Sequence, residues 1–325
     1  MGTATFPAGT AGAGPSARLR PGLRTTQPNP PMKSHPHLPT AVALAVGSLA
    51  TALQAQPIVA QHYPAGAEGI KGASLPPPGL YLRDYNFFYE ANRFIDGPPG
   101  FEIFGYINAP RLVWMTPWNI LGANYGMDLI VPFGMMNYKL DGWHQFSGLG
   151  DVELEPLLLS WHLAKFDVSA GYAVWAPTGD FSASRPDLLA QGFWSHMLTL
   201  GGTWYPDEAK TISFSVLNRY EFGMQQQDTH HTPGQVYTVE AGLAKSVLKG
   251  LDVGVIGYYQ QQTTTDSGAA VGLDRLRDRK FGLGPEVSGF CPPLGIFASL
   301  RYAYEFEATD RPQGHLVTLT ITKPF

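Results

Sequence analysis

From residue 79 to the end of the chain, apolar and polar residues alternate with a period of two. The clearest stretch is Gly314 to Phe325, where Val317, Leu319 and Ile321 fall on one side of an extended chain and Thr318, Thr320 and Thr322 on the other. Side chains of a strand point alternately to its two faces, so this pattern, rich in β-branched residues, predicts a strand with one apolar face. In 210–223, Ile212, Phe214, Val216, Tyr220 and Phe222 share a face, and Ser213, Ser215, Arg219 and Glu221 share the other. In 294–307, Ile296, Ala298, Leu300, Tyr302, Tyr304 and Phe306 oppose Ser299, Arg301, Glu305 and Glu307. In 166–178, Phe166, Val168, Ala170, Tyr172 and Val174 oppose Asp167, Ser169 and Gly171. Twelve extended segments follow from the pattern: 79–92, 101–115, 120–139, 148–163, 166–178, 193–205, 210–223, 234–247, 251–264, 278–290, 294–307 and 314–325. Segment 120–139 is the least regular, and Pro132 and Gly134 suggest a bulge or break there.

The connections sharpen the picture. Those after even-numbered segments are short: Thr116 to Asn119, Ala164-Lys165, Pro206 to Ala209, Leu248 to Gly250 and Cys291 to Pro293. Those after odd-numbered segments are mostly longer and polar: Arg93 to Gly100, Leu140 to Ser147, Gly179 to Gly192, Met224 to Pro233, Thr265 to Arg277 and Ala308 to Gln313. Short turns at one end and longer loops at the other are the habit of membrane barrels. The expectation is an all-β, antiparallel transmembrane β-barrel of about 12 strands with both termini periplasmic; a soluble sandwich is the alternative. The last residue, Phe325, resembles the C-terminal signature of bacterial outer-membrane barrels. That likeness implies a closing strand recognised by the barrel-assembly machinery.

A charge on the lipid face costs about 2–4 kcal/mol at the bilayer midplane, so charged strand residues must face the lumen. Arg219, Glu221, Glu240, Glu286, Arg301 and Glu305 are the lumen candidates. Arg219 and Glu240 fall at similar heights on neighbouring strands, and Arg301 and Glu286 make a comparable pair. Such pairs either stiffen the wall or set a polar constriction.

Composition excludes other classes. A helical membrane protein needs runs of about 20 apolar residues; this chain has one short apolar run, Ala41 to Ala52, among 37 Gly, 15 Tyr and 18 Phe with 15% charged residues. That run reads as a secretory signal, with Met32-Lys33 as a basic start, Thr40 to Leu53 as the core and cleavage before Gln56. The expected organisation is a non-native or disordered extension over 1–31, a signal peptide over 32–55, a Gly/Pro-rich periplasmic or plug segment over 56–78, and the barrel over 79–325, placed in the bacterial outer membrane. Residues 1–55 contain four basic and no acidic residues, so 18 basic and 26 acidic residues remain beyond them. Nucleic acid is therefore no partner for this chain; outer-membrane lipid and small solutes are.

Little chemistry of catalysis is visible. Cys291 is the single cysteine, beside Pro292-Pro293, and His230-His231 is an isolated metal candidate without zinc spacing. No cofactor is expected. Ser195-His196 are adjacent, so on a strand they point to opposite faces and cannot pair. His144 and His162, near Ser147 and Ser160, show no motif. The expectation is a non-enzymatic channel for small hydrophobic or aromatic compounds; the alternatives are a structural or adhesive barrel and an outer-membrane lipid hydrolase.

A resemblance supports the fold. Tyr63 to Gly69 (YPAGAEG), Pro76 to Tyr81 (PPPGLY) running into Asp84 to Tyr89 (DYNFFY), Gly148 to Asp151 (GLGD), Ala176 to Asp180 (APTGD) and Gly282 to Glu286 (GLGPE) stand in an order that resembles the outer-membrane family named for the meta pathway of phenol degradation. That family includes SphA-like proteins. The resemblance implies a barrel that transports hydrophobic or aromatic compounds, loosely like FadL-type channels. The extension before Met32 lies outside the family pattern.

Overall fold

In the computed structural model, the described residues are 61–97, 99–139, 142–182, 189–226, 229–268 and 277–325. The expected extension over 1–31 and signal peptide over 32–55 lie outside them. Among the described residues sixteen strands are formed: β1 (Gly79–Ile95), β2 (Glu102–Ile120), β3 (Ala123–Ile130), β4 (Phe133–Lys139), β5 (Trp143–Leu149), β6 (Val152–His162), β7 (Phe166–Ala176), β8 (Ser195–Trp204), β9 (Ile212–Gly223), β10 (His231–Thr232), β11 (Val236–Leu248), β12 (Leu251–Gln262), β13 (Ser267–Gly268), β14 (Arg279–Cys291), β15 (Ile296–Thr309) and β16 (Arg311–Pro324). The two short strands β10 and β13 form a separate ribbon. The rest form one antiparallel sheet in which β3 with β4, and β5 with β6, act as single staves, giving 12. β16 pairs with β1 from Tyr81↔Pro324 to Ile95↔Arg311, and β1 pairs with β2, so the sheet closes on itself.

The faces are inverted relative to a water-soluble protein. On β9, Ser213, Ser215, Leu217, Arg219 and Glu221 are buried while Phe214 is exposed. Around the barrel Leu200, Leu243, Val255, Leu283 and Leu300 look outward, whereas Arg311, Gln260, Glu305 and Thr318 are among the most enclosed side chains. An apolar exterior, a polar interior and no open sheet edge are what lipid demands of a spanning sheet, because unpaired backbone groups in hydrocarbon cost several kcal/mol each. The chain is a transmembrane barrel of the outer-membrane kind.

The structure shifts several expected boundaries. Thr116 to Asn119 is not a turn but the end of β2, and the chain reverses at Leu121-Gly122, both at positive φ. Pro117 lacks an N–H, and the β2–β3 register shift between Met115 and Asn119 accommodates it, so the strand runs on. The fourth stave begins at Trp143, inside the expected loop Leu140 to Ser147. The polar loop expected over Ala308 to Gln313 is a tight turn, with only Asp310, at φ 49°, between β15 and β16. The alternation of short and long connections therefore fails at that hairpin. Glu307 is exposed rather than facing the lumen: at φ 52° it sits in a bulge of β15, where pairing jumps from Phe281↔Phe306 to Arg279↔Thr309 and resets the faces. The irregular segment 120–139 breaks between β3 and β4, at Val131-Pro132.

The stretch from Gln61 to Pro78 is irregular and lies against the inward faces of the strands. Its backbone N–H groups seek carboxylates of the wall: Gly66 and Glu68 donate to Glu240 at 2.8 and 3.0 Å, and Ile70 donates to Glu286 at 2.7 Å. Close approach explains two glycines. A Cβ on Gly69 would sit 1.7 Å from a Glu286 oxygen, and one on wall residue Gly242 would sit 2.8 Å from the Ile70 Cα.

Candidate functional site

Alternation along each strand carries every second side chain into the lumen, and the six lumen candidates all arrive there buried. Arg219 on β9 lies 2.7 Å from Glu240 on β11, and its other contact is the Tyr63 hydroxyl at 2.7 Å. Tyr63 in turn donates to Glu240 at 2.7 Å, with the Arg219 guanidinium over its ring at 4.1 Å. Arg301 on β15 pairs in register with Glu286 on β14; the closest charged atoms are 3.9 Å apart, and Arg301 also donates to Thr320. Glu305 accepts hydrogen bonds from Lys280, Tyr89 and Tyr258. Glu221 accepts from the His62 and Tyr63 backbone N–H groups.

A second set of site residues was not singled out from the sequence. Arg111 on β2 closes on Asp128 at 2.6 Å, Glu155 at 2.8 Å and Glu68 at 3.5 Å. Glu68 also takes Arg83 and the Tyr85 hydroxyl, each at 2.6 Å. Burial raises the Glu68 carboxyl, but the Arg83 and Arg111 charges outweigh it and hold the group below its ordinary value. Lys71 reaches Asp252 at 2.5 Å. The parity that exposed Arg219 also holds here: Arg111 shares the inward side of Ala109 and Val113, Asp128 that of Gly126, and Glu153 that of Glu155, while the register shifts between Leu154 and Leu157 and between Gly126 and Asp128 affect how the neighbouring strands pair. The segment 61–78 has no strand periodicity at all, so its charged residues carried no face.

His62 forms the third group. Its Nδ1 lies 2.8 Å from Glu221 and its Nε2 3.1 Å from Asp151, with the ring stacked on Trp175. Burial would lower its pKa, but hydrogen bonds and charge from Asp151 and Glu221 dominate and push it up to about 9. Ser195 Oγ is 3.0 Å from Nδ1, so a Ser–His–Asp chain is present in outline. Its arrangement departs from that of a catalytic triad. A general base needs a free ring nitrogen, whereas His62 is held doubly protonated between two carboxylates. Ser195 is 0% exposed and gives its own proton to Glu221 at 2.8 Å. Ser195 and His196 point to opposite faces, His196 meeting Tyr172 outside at 2.7 Å. His231 contacts Asp266 at 3.3 Å, and among the described residues no group of three or more ligating side chains could hold a metal.

Beside the inner segment a cavity of about 220 Å³ remains. Its walls mix Phe87, Ile103, Ile107, Met136 and Met197 with charged groups that include Arg111 and Glu153. The arrangement suits a molecule with an apolar body and a polar end.

The fold is similar to that of an outer membrane channel from Pseudomonas putida F1, at TM-score 0.69 and 14% identity, covering 82% of this chain and 100% of that one. The β-domain of the Bordetella autotransporter BrkA (TM-score 0.49, 10% identity, 77% and 100% covered) and the KdgM porin (TM-score 0.42, 10% identity, 75% and 99% covered) also match. A search of curated proteins finds no match. Residues 87–321 match the model of the family described as "Putative MetA-pathway of phenol degradation", and the chain belongs to that family.

Proposed function

We propose that this barrel is an outer-membrane channel admitting small hydrophobic or aromatic compounds, with both termini on the periplasmic side and residues 61–78 acting as a plug. The carrying observation is the cavity beside that segment, whose lining combines aromatic and aliphatic side chains with buried charged groups. A purely aqueous pore has no need of Phe87, Ile107 and Met197 in its wall, and a filled structural barrel has no need of the space. The Arg219–Glu240 and Arg301–Glu286 pairs, both tied to the inner segment, then form the polar constriction past which cargo moves.

Proteoliposome swelling tests this reading. Vesicles containing the protein should admit small aromatic solutes faster than protein-free vesicles, and removal of residues 61–78 should raise the rate further. Equal rates for both kinds of vesicle across a panel of solutes would favour a structural or adhesive barrel instead.

A further inference from the structure

The charges that line the cavity match in number, five cationic side chains against five carboxylates, but not in pairing. Its cationic side chains are His62, Arg111, Arg219, Lys280 and Arg311. Each has a carboxylate partner: Asp151 and Glu221 for His62, Asp128 and Glu155 for Arg111, Glu240 for Arg219, Glu305 for Lys280 and Asp278 for Arg311. Among the lining carboxylates Glu153 is different. It is 3% exposed, and among the described residues no hydrogen bond or ion pair ends on it. Two guanidinium charges reach Glu153, and both are already closed on other carboxylates: Arg111 on Asp128 and Glu155, and Arg219 on Glu240.

Strand register fixes what surrounds Glu153. It lies opposite Ile130 of β3 on one side and Trp175 of β7 on the other. Trp175 is 4% exposed, and among the described residues its indole N–H has no acceptor. Ile130, Pro132, Leu189 and Met197 supply apolar lining to the same cavity. A carboxylate removed from water without a counter-charge is costly, and the cost is relieved by a cation that can donate hydrogen bonds to it.

We propose that Glu153 and this apolar lining form a binding subsite for a small hydrophobic solute carrying a protonated amine. The ammonium donates to the Glu153 carboxylate and the hydrocarbon body lies along Ile130, Leu189 and Met197. This rests on the channel reading and narrows its cargo. A neutral hydroxyl is the competing occupant, since it can donate to Glu153 and accept from the Trp175 N–H at once. The carboxylate without a paired cation favours the amine, because an ammonium brings an opposite charge as well as a donor, whereas a hydroxyl brings only the donor.

The test is equilibrium binding to the folded, detergent-solubilised barrel, with phenethylamine, phenethyl alcohol and 3-phenylpropionate as probes at pH 7. Phenethylamine should bind at least tenfold more tightly than the alcohol, and the carboxylate probe most weakly. Glu153→Gln, which keeps the shape, should erase the preference for the amine; Trp175→Phe should preserve it. Heat-modifiable migration reports that each variant is folded, and Glu153→Asp, expected to retain the preference, serves if the glutamine variant is not. No amine binding, equal affinity for amine and alcohol, or a preference untouched by Glu153→Gln would overturn the assignment. Amine that binds but never crosses proteoliposome walls would refute the channel reading and leave the subsite standing.

Discussion

The latch at His62 yields the sharpest prediction. The imidazolium sits on the inner segment, 1% exposed at its side chain, and bridges Glu221 of β9 to Asp151 between β5 and β6. Its pKa stands at about 9 against an ordinary 6.5. A folded-state pKa above the unfolded value stabilises the protonated, latched state; the contribution is fully present below pH 6.5 and is lost as pH rises through 9. At 1.36 kcal/mol per decade of proton affinity, the contribution is about 3 kcal/mol, or roughly a 300-fold change in the balance between seated and released segment. Two neighbours on the segment do not titrate in that window: burial lifts the Tyr63 hydroxyl well above 10, and Arg83 and Arg111 hold the Glu68 carboxyl below its ordinary value. Single-channel recording in planar bilayers at pH 7 and pH 10 reads the effect. Open probability should rise strongly between the two, and His62→Gln should be open at both with the pH dependence gone. An unchanged open probability in the native protein, or a His62→Gln variant that keeps the dependence, would refute the latch.

Three further outcomes are expected. Arg219→Ala leaves Glu240 buried without its counter-charge, a loss of about 3–5 kcal/mol in the packing of the inner segment; the barrel should still migrate as a heat-modifiable band while solute uptake rate or selectivity changes, and unchanged uptake in the folded variant would leave that pair a purely structural role. Gly69→Leu places a side chain where the Glu286 carboxylate lies, 1.7 Å from the first added carbon, and should expel the segment, seen as protease cleavage near residue 69 in intact proteoliposomes. Deletion of Phe325, whose N–H donates to Leu80 at the seam between first and last strands at 3.0 Å, should lower the yield of assembled barrel in cells; assembly at the native rate would remove any special role for the terminal aromatic.

The strands were legible in the sequence because a stave of a membrane barrel solves a local problem. Each must show hydrocarbon to lipid and polar groups to the lumen, so its period of two survives in the primary structure, and Ser213, Ser215, Arg219 and Glu221 could be assigned to one face before any partner was known. The same parity placed Arg219 near Glu240 and Arg301 near Glu286. It failed where the period slips. At Glu307 a bulge turns the side chain outward, and at Thr116 to Asn119 a proline inside a strand imitates a turn. Arg111, Asp128, Glu153 and Glu155 keep the inward parity of their strands, but parity alone offers no reason to bring them together. What only the tertiary structure decided is the interior between the staves. Tyr63 and Glu240 are 177 residues apart, and Ile70 and Glu286 are 216 apart. No periodicity relates an irregular segment to the wall it touches. Its place is set by matching lone N–H groups and one imidazolium to carboxylates that barrel closure has already gathered, and that matching exists only once β16 has met β1.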